Sequence, residues 1–266
     1  MSTPHVAFVT GAGRGIGAAI AQRLAQSGVA VILGARSQEA TSALASAIVS
    51  TGGQAWPVYV DVSDPQTIAQ AIEYCRGIGP VDWLINNAGI AISAPFLRHG
   101  RETGEDLYER HLGTNFHGAR HMIEALVPAM ISRGYGRVVN VASSASLQAY
   151  PYTAAYTASK HALLGYGRSA ALDLGGTGVT LNTLCPHFVD SPMTDETVQR
   201  IMQTTNRSEA KTRAFLAAQN PGGVLVTVEE VAELAHELLE SDRNGSVIEL
   251  CGGAKRHLIE SGVASE

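Results

Sequence analysis

The sequence predicts an α/β fold, a doubly wound parallel sheet of about seven strands with helices on both faces. Three observations predict it. Short Val- and Ile-rich runs recur along the chain without alternating with polar residues, stretches of helical periodicity separate them, and no linker or compositional break falls between Val6 and Leu250. Strands buried on both faces read as continuous apolar runs, and their alternation with helices builds parallel βαβ units. A single domain over residues 1–266 is expected.

The expected strands are Val6–Val9, Val29–Leu33, Ala55–Val60, Trp83–Ile85, Val138–Val141, Val179–Leu184 and Val247–Leu250. Helical periodicity marks Gly17–Ser27, Gln38–Thr51, Pro65–Arg76, Asp106–Arg133, Ala154–Leu174 and Val228–Leu239. One segment breaks this rhythm: Asp190 to Val226 is polar, helix-prone and ends in Asn220-Pro221-Gly222-Gly223. Connections this long are usually functional, so a substrate lid at about 190–225 is expected.

Composition excludes several classes. Hydrophobic residues make up 45% and charged residues 16% of the 266, enough apolar content for a large core and against disorder. A net charge of −5 offers no attraction to nucleic acid or to an anionic membrane. Cys75, Cys185 and Cys251 are far apart and lack metal-ligand spacing, which suits free thiols in a reducing compartment. No signal peptide is legible at the N-terminus, and no apolar run is long enough for a membrane helix. A soluble, cytoplasmic protein is expected.

The first strand runs into Thr10-Gly11-Ala12-Gly13-Arg14-Gly15-Ile16-Gly17, and a helix follows at once. Glycines here permit a tight turn and let the backbone approach a pyrophosphate, which sits on the positive helix N-terminus. A glycine pattern alone is weak evidence, but its place between a strand and a helix is the context that a Rossmann-type dinucleotide site requires. The second strand ends in Ala35-Arg36-Ser37. A carboxylate there would hold a ribose 2′-hydroxyl, whereas an Arg accommodates a 2′-phosphate. Ala35 and Arg36, with Arg14 adding charge on the same side, therefore favour NADP(H), and NAD(H) is the less favoured alternative.

Tyr156-Thr-Ala-Ser-Lys160 places a phenol and an ammonium on one helix face at i and i+4. An ammonium and a positive nicotinamide ring both favour the phenolate, so a lowered Tyr156 pKa and general acid/base work are expected. Tyr150 and Tyr152 lie nearby, but neither has a Lys four residues on.

Together these motifs resemble the short-chain dehydrogenase/reductase family over nearly the whole chain. The glycine loop matches the family's TGxxxGxG. The resemblance implies an adenine contact at Asp61-Val62, and it implies that Asn87, Ala88 and Gly89 of Asn86-Asn87-Ala88-Gly89 line the cofactor. It makes Ser143 the residue that binds the substrate oxygen, thirteen residues before Tyr156, with Ser144 as the alternate. It also makes Asn115, with Ser143, Tyr156 and Lys160, a catalytic tetrad; an Asn inside a helix is otherwise mildly unfavourable. Where the family reads Pro-Gly-x-Val-x-Thr, this chain has Pro186-His187-Phe188-Val189-Asp190-Ser191. Pro186, Val189 and Ser191 keep cofactor positions. His187 is a departure, with a substrate-pocket contact as the leading reading and a packing substitution or a proton relay as the others.

His117 and His121 are spaced i, i+4, but no third ligand follows and no metal is expected. The function implied is an oxidoreductase that interconverts a small ketone or aldehyde and an alcohol. Alternatives are an NAD-dependent secondary-alcohol dehydrogenase and a 3-oxoacyl-thioester reductase. The latter ranks lower because Gly134 and Thr177 stand where carrier-docking bases are common, although Arg133 is adjacent. A non-catalytic dinucleotide sensor is the remote case. Family members commonly form homodimers or homotetramers, and the pocket residues suggest a mainly apolar substrate.

Overall fold

The computed structural model describes residues 4–98 and 106–259. Seven strands run parallel: β1 (Val6–Thr10), β2 (Ala30–Ala35), β3 (Ala55–Tyr59), β4 (Trp83–Asn86), β5 (Gly136–Val141), β6 (Val179–Pro186) and β7 (Val247–Leu250). An eighth, β8 (Lys255–Ile259), pairs antiparallel to β7 at the sheet edge, in the order β3-β2-β1-β4-β5-β6-β7-β8. This strand is an addition to the sequence expectation.

The helices are α1 (Gly15–Gln26), α2 (Gln38–Ser50), α3 (Pro65–Cys75), α4 (Leu107–Leu112), α5 (Gly118–Arg133), α6 (Ala154–Asp173), α7 (Pro192–Thr205), α8 (Glu209–Ala217) and α9 (Val228–Leu239). The apolar strand runs divide by pleat parity. Ala7, Val9, Val31 and Leu33 face α1, α2 and α9 through Ile20, Leu44 and Leu234. Phe8, Ala30 and Ile32 face α3, α5 and α6 through Ile68, Met122 and Ala171. Both faces are covered, which explains why the strands do not alternate in sequence.

Two local features differ from the sequence expectation. The helix expected over Asp106–Arg133 is α4 and α5 joined by a π-turn at Gly113–His117, and this wider turn carries Asn115. The 190–225 segment holds two helices, α7 and α8, and a bridge from Val189 to Val226 closes its base. Among the described residues, no helix is long and apolar enough to cross a membrane.

The strand order reverses between β1 and β4. In open sheets of this kind, ligands bind outside the carboxyl ends of the strands at such a switch point.

Candidate active site

A cleft of about 1070 Å³ opens there. Its walls include the glycine loop, the ends of β2 to β6, and the inner face of α7.

Gly11 and Gly15 adopt φ of +66° and +56°, which L side chains rarely accept. A Cβ on Gly17 would lie 2.3 Å from the Gly11 carbonyl oxygen, so this glycine serves close packing behind the loop and not the cleft surface. Gly11, Gly13, Arg14, Gly15 and Ile16 line the cleft. Arg14, the N-cap of α1, makes no side-chain cap bond, and the first turn has no acid. The α1 amides are thus available to an anion.

Asn87 stabilises the loop from β4: its Nδ2 donates to the carbonyls of Thr10 (2.9 Å) and Gly11 (3.3 Å). Thr10 Oγ1 in turn accepts from the amides of Asn87 and Ala88.

At the β2 end, the Arg36 guanidinium is 67% exposed and stands 3.9 Å from an Asp61 carboxylate oxygen. The other Asp61 oxygen accepts from the Ser63 amide and hydroxyl. Ser37 caps α2, accepting from the Ala40 amide at 3.3 Å. Val62, Asn87, Ala88, Gly89, Pro186, Val189 and Ser191 also line the cleft. Ser191 is the N-cap of α7 with no cap bond of its own, so its hydroxyl is available. The open α1 terminus and this free hydroxyl, in one cleft at the switch point, fit a nicotinamide dinucleotide.

Ser143, Tyr156 and Lys160 meet at the inner end. Ser143 follows β5 and lines the cleft with Tyr156, its Oγ accepting from the Ala145 amide at 3.1 Å. Lys160 is buried below: its Nζ lies 5.9 Å from the Tyr156 ring centroid and donates to the Val141 carbonyl at 2.9 Å. Burial pushes the Tyr156 phenol above its ordinary value, with the Ser143 side chain pulling the other way. Tyr150 and Cys185 push in the same direction as burial, so the phenol holds its proton in the protein alone; the lowering expected from the sequence concerns the site with an oxidised dinucleotide bound. The same burial pushes the Lys160 ammonium down to about 8.

Ser144 is drawn elsewhere. Its hydroxyl bonds Tyr150 Oη at 2.8 Å and is buried.

Asn115 does not line the cleft; it is 1% exposed behind it. Its Oδ1 accepts from the Ile90 amide (2.8 Å), while Nδ2 donates to the Ile90 carbonyl (3.0 Å) and to Ser159 Oγ (2.9 Å). Sequence reading missed His111, four residues earlier on the same face. Its Nε2 accepts from the Ile92 amide at 3.0 Å, Nδ1 donates to the Leu107 carbonyl at 2.6 Å, and its ring meets Tyr156 edge-on. With the Ala94 amide donating to the Tyr152 carbonyl, alternate residues of the loop after Gly89 are held beside Tyr156. The i, i+4 pairing of His111 with Asn115 was the available signal.

His187 touches the cleft, yet its side chain is only 1% exposed. Nε2 lies 2.7 Å from Glu249 Oε1, and Nδ1 lies 3.4 Å from Tyr150 Oη. The ring therefore reaches the pocket through Tyr150, which packs edge-on against Phe188. Glu249 was not singled out in sequence because β7 reads as an ordinary strand. Among the described residues, His187, Glu249 and Cys251 form a group of potential metal donors, within 4.8 Å of one another. His117 and His121 instead stack on each other, with Arg120 Nη2 at 2.8 Å from His121 Nε2.

Comparison with known proteins agrees with this architecture. The short chain dehydrogenase family model matches residues 5–202. The chain is 32% identical to the 3-oxoacyl-[acyl-carrier-protein] reductase FabG of Escherichia coli (strain K12), across 93% of this chain and 96% of that protein. It is 33% identical to gluconate 5-dehydrogenase of Gluconobacter oxydans (strain 621H), across 93% of each. A crystal structure of actinorhodin polyketide ketoreductase with NADPH superposes with a TM-score of 0.88 at 31% identity, covering 95% of this chain and 98% of that one. The chain belongs to the short-chain dehydrogenase family. It is an oxidoreductase of carbonyl and alcohol groups.

Proposed function

We propose that the protein is an NADP(H)-dependent reductase of ketones or aldehydes, with Tyr156 as general acid/base and residues 190–225 as the substrate lid. The observation that carries this is the meeting of Tyr156, Ser143 and buried Lys160 in the same cleft as the uncapped α1 terminus. Solved relatives crystallised with NADP or NADPH support the choice of cofactor, as does Arg36.

The dinucleotide, when bound, supplies or accepts the hydride. Ser143 orients the carbonyl oxygen by a hydrogen bond, and Tyr156 delivers its proton to that oxygen as the alkoxide forms. Lys160 supplies positive charge beneath the phenol, and Asn115 and His111 position the loop that walls the reacting centre. NADPH oxidation with a panel of ketones, against NADH, tests the reading. Ser143→Ala is expected to lower kcat/KM by about 100-fold, because one oriented donor is lost. Ser144→Ala is expected to change it only modestly, since that hydroxyl serves Tyr150. The reverse ranking would assign the substrate oxygen to Ser144.

The pH profile follows from the two shifts. Reduction needs a protonated Tyr156, and the raised phenol keeps its proton across the neutral range. The ammonium form of Lys160 is full below about 8 and lost above it. With limiting dinucleotide, kcat/KM for reduction should stay flat through neutrality and fall as pH rises through about 8. Alcohol oxidation, which needs the phenolate, should instead increase toward alkaline pH. Initial rates in both directions check this.

A second reading, reduction of 3-oxoacyl thioesters, is favoured by relatives such as the E. coli reductase. Against carrier docking, Arg133 is engaged with the Val81 carbonyl at 2.7 Å, and Gly134 and Thr177 offer no charge. Exposed Ile131 and Leu172 on α5 and α6 suit a homodimer or homotetramer. Three buried free cysteines suit a cytoplasmic setting.

A further inference from the structure

The lid carries more cations than its own acids use. Its four carboxylates are all engaged. Glu196 bonds Arg14 of the glycine loop at 2.7 Å, while Asp190, Asp195 and Glu209 converge on Arg213. That leaves Arg200, Arg207 and Lys211 without a carboxylate among the described residues, and of these the two arginines line the cleft.

Arg200 is the informative one. Met193, Thr197, Arg200, Ile201 and Thr204 all line the cleft, a helical i, i+4, i+7, i+8, i+11 stripe that turns one face of α7 inward. Its Nη1 is closed off from solvent, yet it has no hydrogen-bond partner. A guanidinium nitrogen taken from water without a partner is costly, and such groups in native structures call for an explanation such as a ligand. Arg207 stacks on Phe215 with its guanidinium 4.8 Å from the ring centroid, which places a second charge at the outer rim of the same wall. The wall there mixes apolar Ile201, Phe215 and Leu216 with uncharged Thr197, Thr204 and Gln219. The only carboxylate lining the cleft among the described residues is Asp61, which faces Arg36 at the far, β2 end.

The cofactor does not account for Arg200. Pro192 begins α7 against the glycine loop, where a Cβ on Gly15 would lie 3.3 Å from its Cδ. Arg200 is eight residues further on, about 12 Å along the helix axis at the α-helical rise. The phosphates belong at the loop and at Arg36.

We propose that Arg200, with Arg207 at the rim, binds an anionic group carried by the substrate at the end of an apolar stem, a carboxylate or a phosphate monoester. A planar guanidinium matches either anion in a bidentate pair. The proposal deepens the carbonyl-reductase reading, on whose placement of cofactor and substrate in this cleft it rests. It revises the expectation of a mainly apolar substrate: the stem is apolar, and its end is charged.

The test is a binding measurement, so it does not depend on turnover. Calorimetry on the protein saturated with NADP+ compares hexanoate, hexyl phosphate and neutral hexanamide. The expected result is that at least one anion binds about tenfold or more tightly than hexanamide, the range for a charge-assisted hydrogen bond. Arg200→Met should remove that advantage while leaving hexanamide and NADP+ affinity unchanged, and Arg200→Lys should restore part of it. A preference for hexyl phosphate over hexanoate identifies the anion as a phosphate, and the converse identifies a carboxylate. Equal binding of charged and neutral probes, or binding of none, overturns the inference. Loss of NADP+ affinity in Arg200→Met overturns it too, by assigning the residue to the cofactor. Failure of the reductase reading shows separately, as absence of NADPH oxidation with any carbonyl.

Discussion

Replacing Tyr156 by Phe is expected to lower kcat by on the order of 10³-fold, within the range that positioned acid/base groups supply, and to leave NADP+ binding unchanged. The loss is large because no neighbour can take over. Tyr150 also lines the cleft, but its hydroxyl is already held by Ser144, Gln148 and His187. Tyr152 is 64% exposed at φ +65°. Neither has Lys160 beneath it. The substitution keeps the ring, so the edge-on contact with His111 and the wall of the cleft persist. Pre-steady-state hydride transfer, followed by NADPH absorbance, separates the chemical step from release. A variant with full turnover would remove Tyr156 from the chemistry. A dinucleotide sensor, the remote alternative, would have no turnover to lose.

Much of this site was legible because its chemistry is local. The glycine loop, the Tyr156–Lys160 spacing and the Ala35-Arg36 ending each fall within a few residues, where a strand end or one helical turn sets the geometry. What was not legible is tertiary or breaks periodicity. The π-turn at Gly113–His117 inserts an extra residue into an otherwise helical pattern, and no 3.6-residue count reveals it. Glu249 meets His187 across adjacent strands, 62 positions apart. The unpartnered Arg200 shows only once every lid carboxylate has been assigned to another cation. Strand β8 is a different matter, because a signal was present. Gly252 and Gly253 both have positive φ (78° and 69°), and the Cys251 amide donates to the Ala254 carbonyl at 2.8 Å. Two adjacent glycines after an apolar run mark a tight hairpin. The charged opening of Lys255-Arg256-His257-Leu258-Ile259 concealed it.

The second large effect concerns cofactor choice. Arg36→Ala is expected to raise KM for NADPH by about 10–100-fold, since hydrogen bonds to charged groups contribute about 1.5–3 kcal/mol, and to leave NADH nearly unaffected. Competition within the protein does not cancel this gain. The Arg36 to Asp61 contact is 3.9 Å long with the guanidinium 67% exposed, so it is a weak pair. Asp61 also spends one oxygen on Ser63. A phosphate presents up to two charges and three acceptor oxygens to the same fork, and Arg36 can turn from Asp61 to meet it. Solvent at this exposed rim screens the pair, which holds the expectation to the lower part of the range at high salt. Ala35→Asp should act in the same direction by a different route. It puts a carboxylate at the end of β2 that repels the 2′-phosphate and can accept from a ribose hydroxyl, so NADH should gain as NADPH loses. The ratio of kcat/KM for the two dinucleotides, measured at two salt concentrations, checks both variants. A ratio unchanged in Arg36→Ala would move phosphate recognition to Arg14, which is already tied to Glu196 of the lid. Cofactor choice and lid position would then be coupled through one guanidinium.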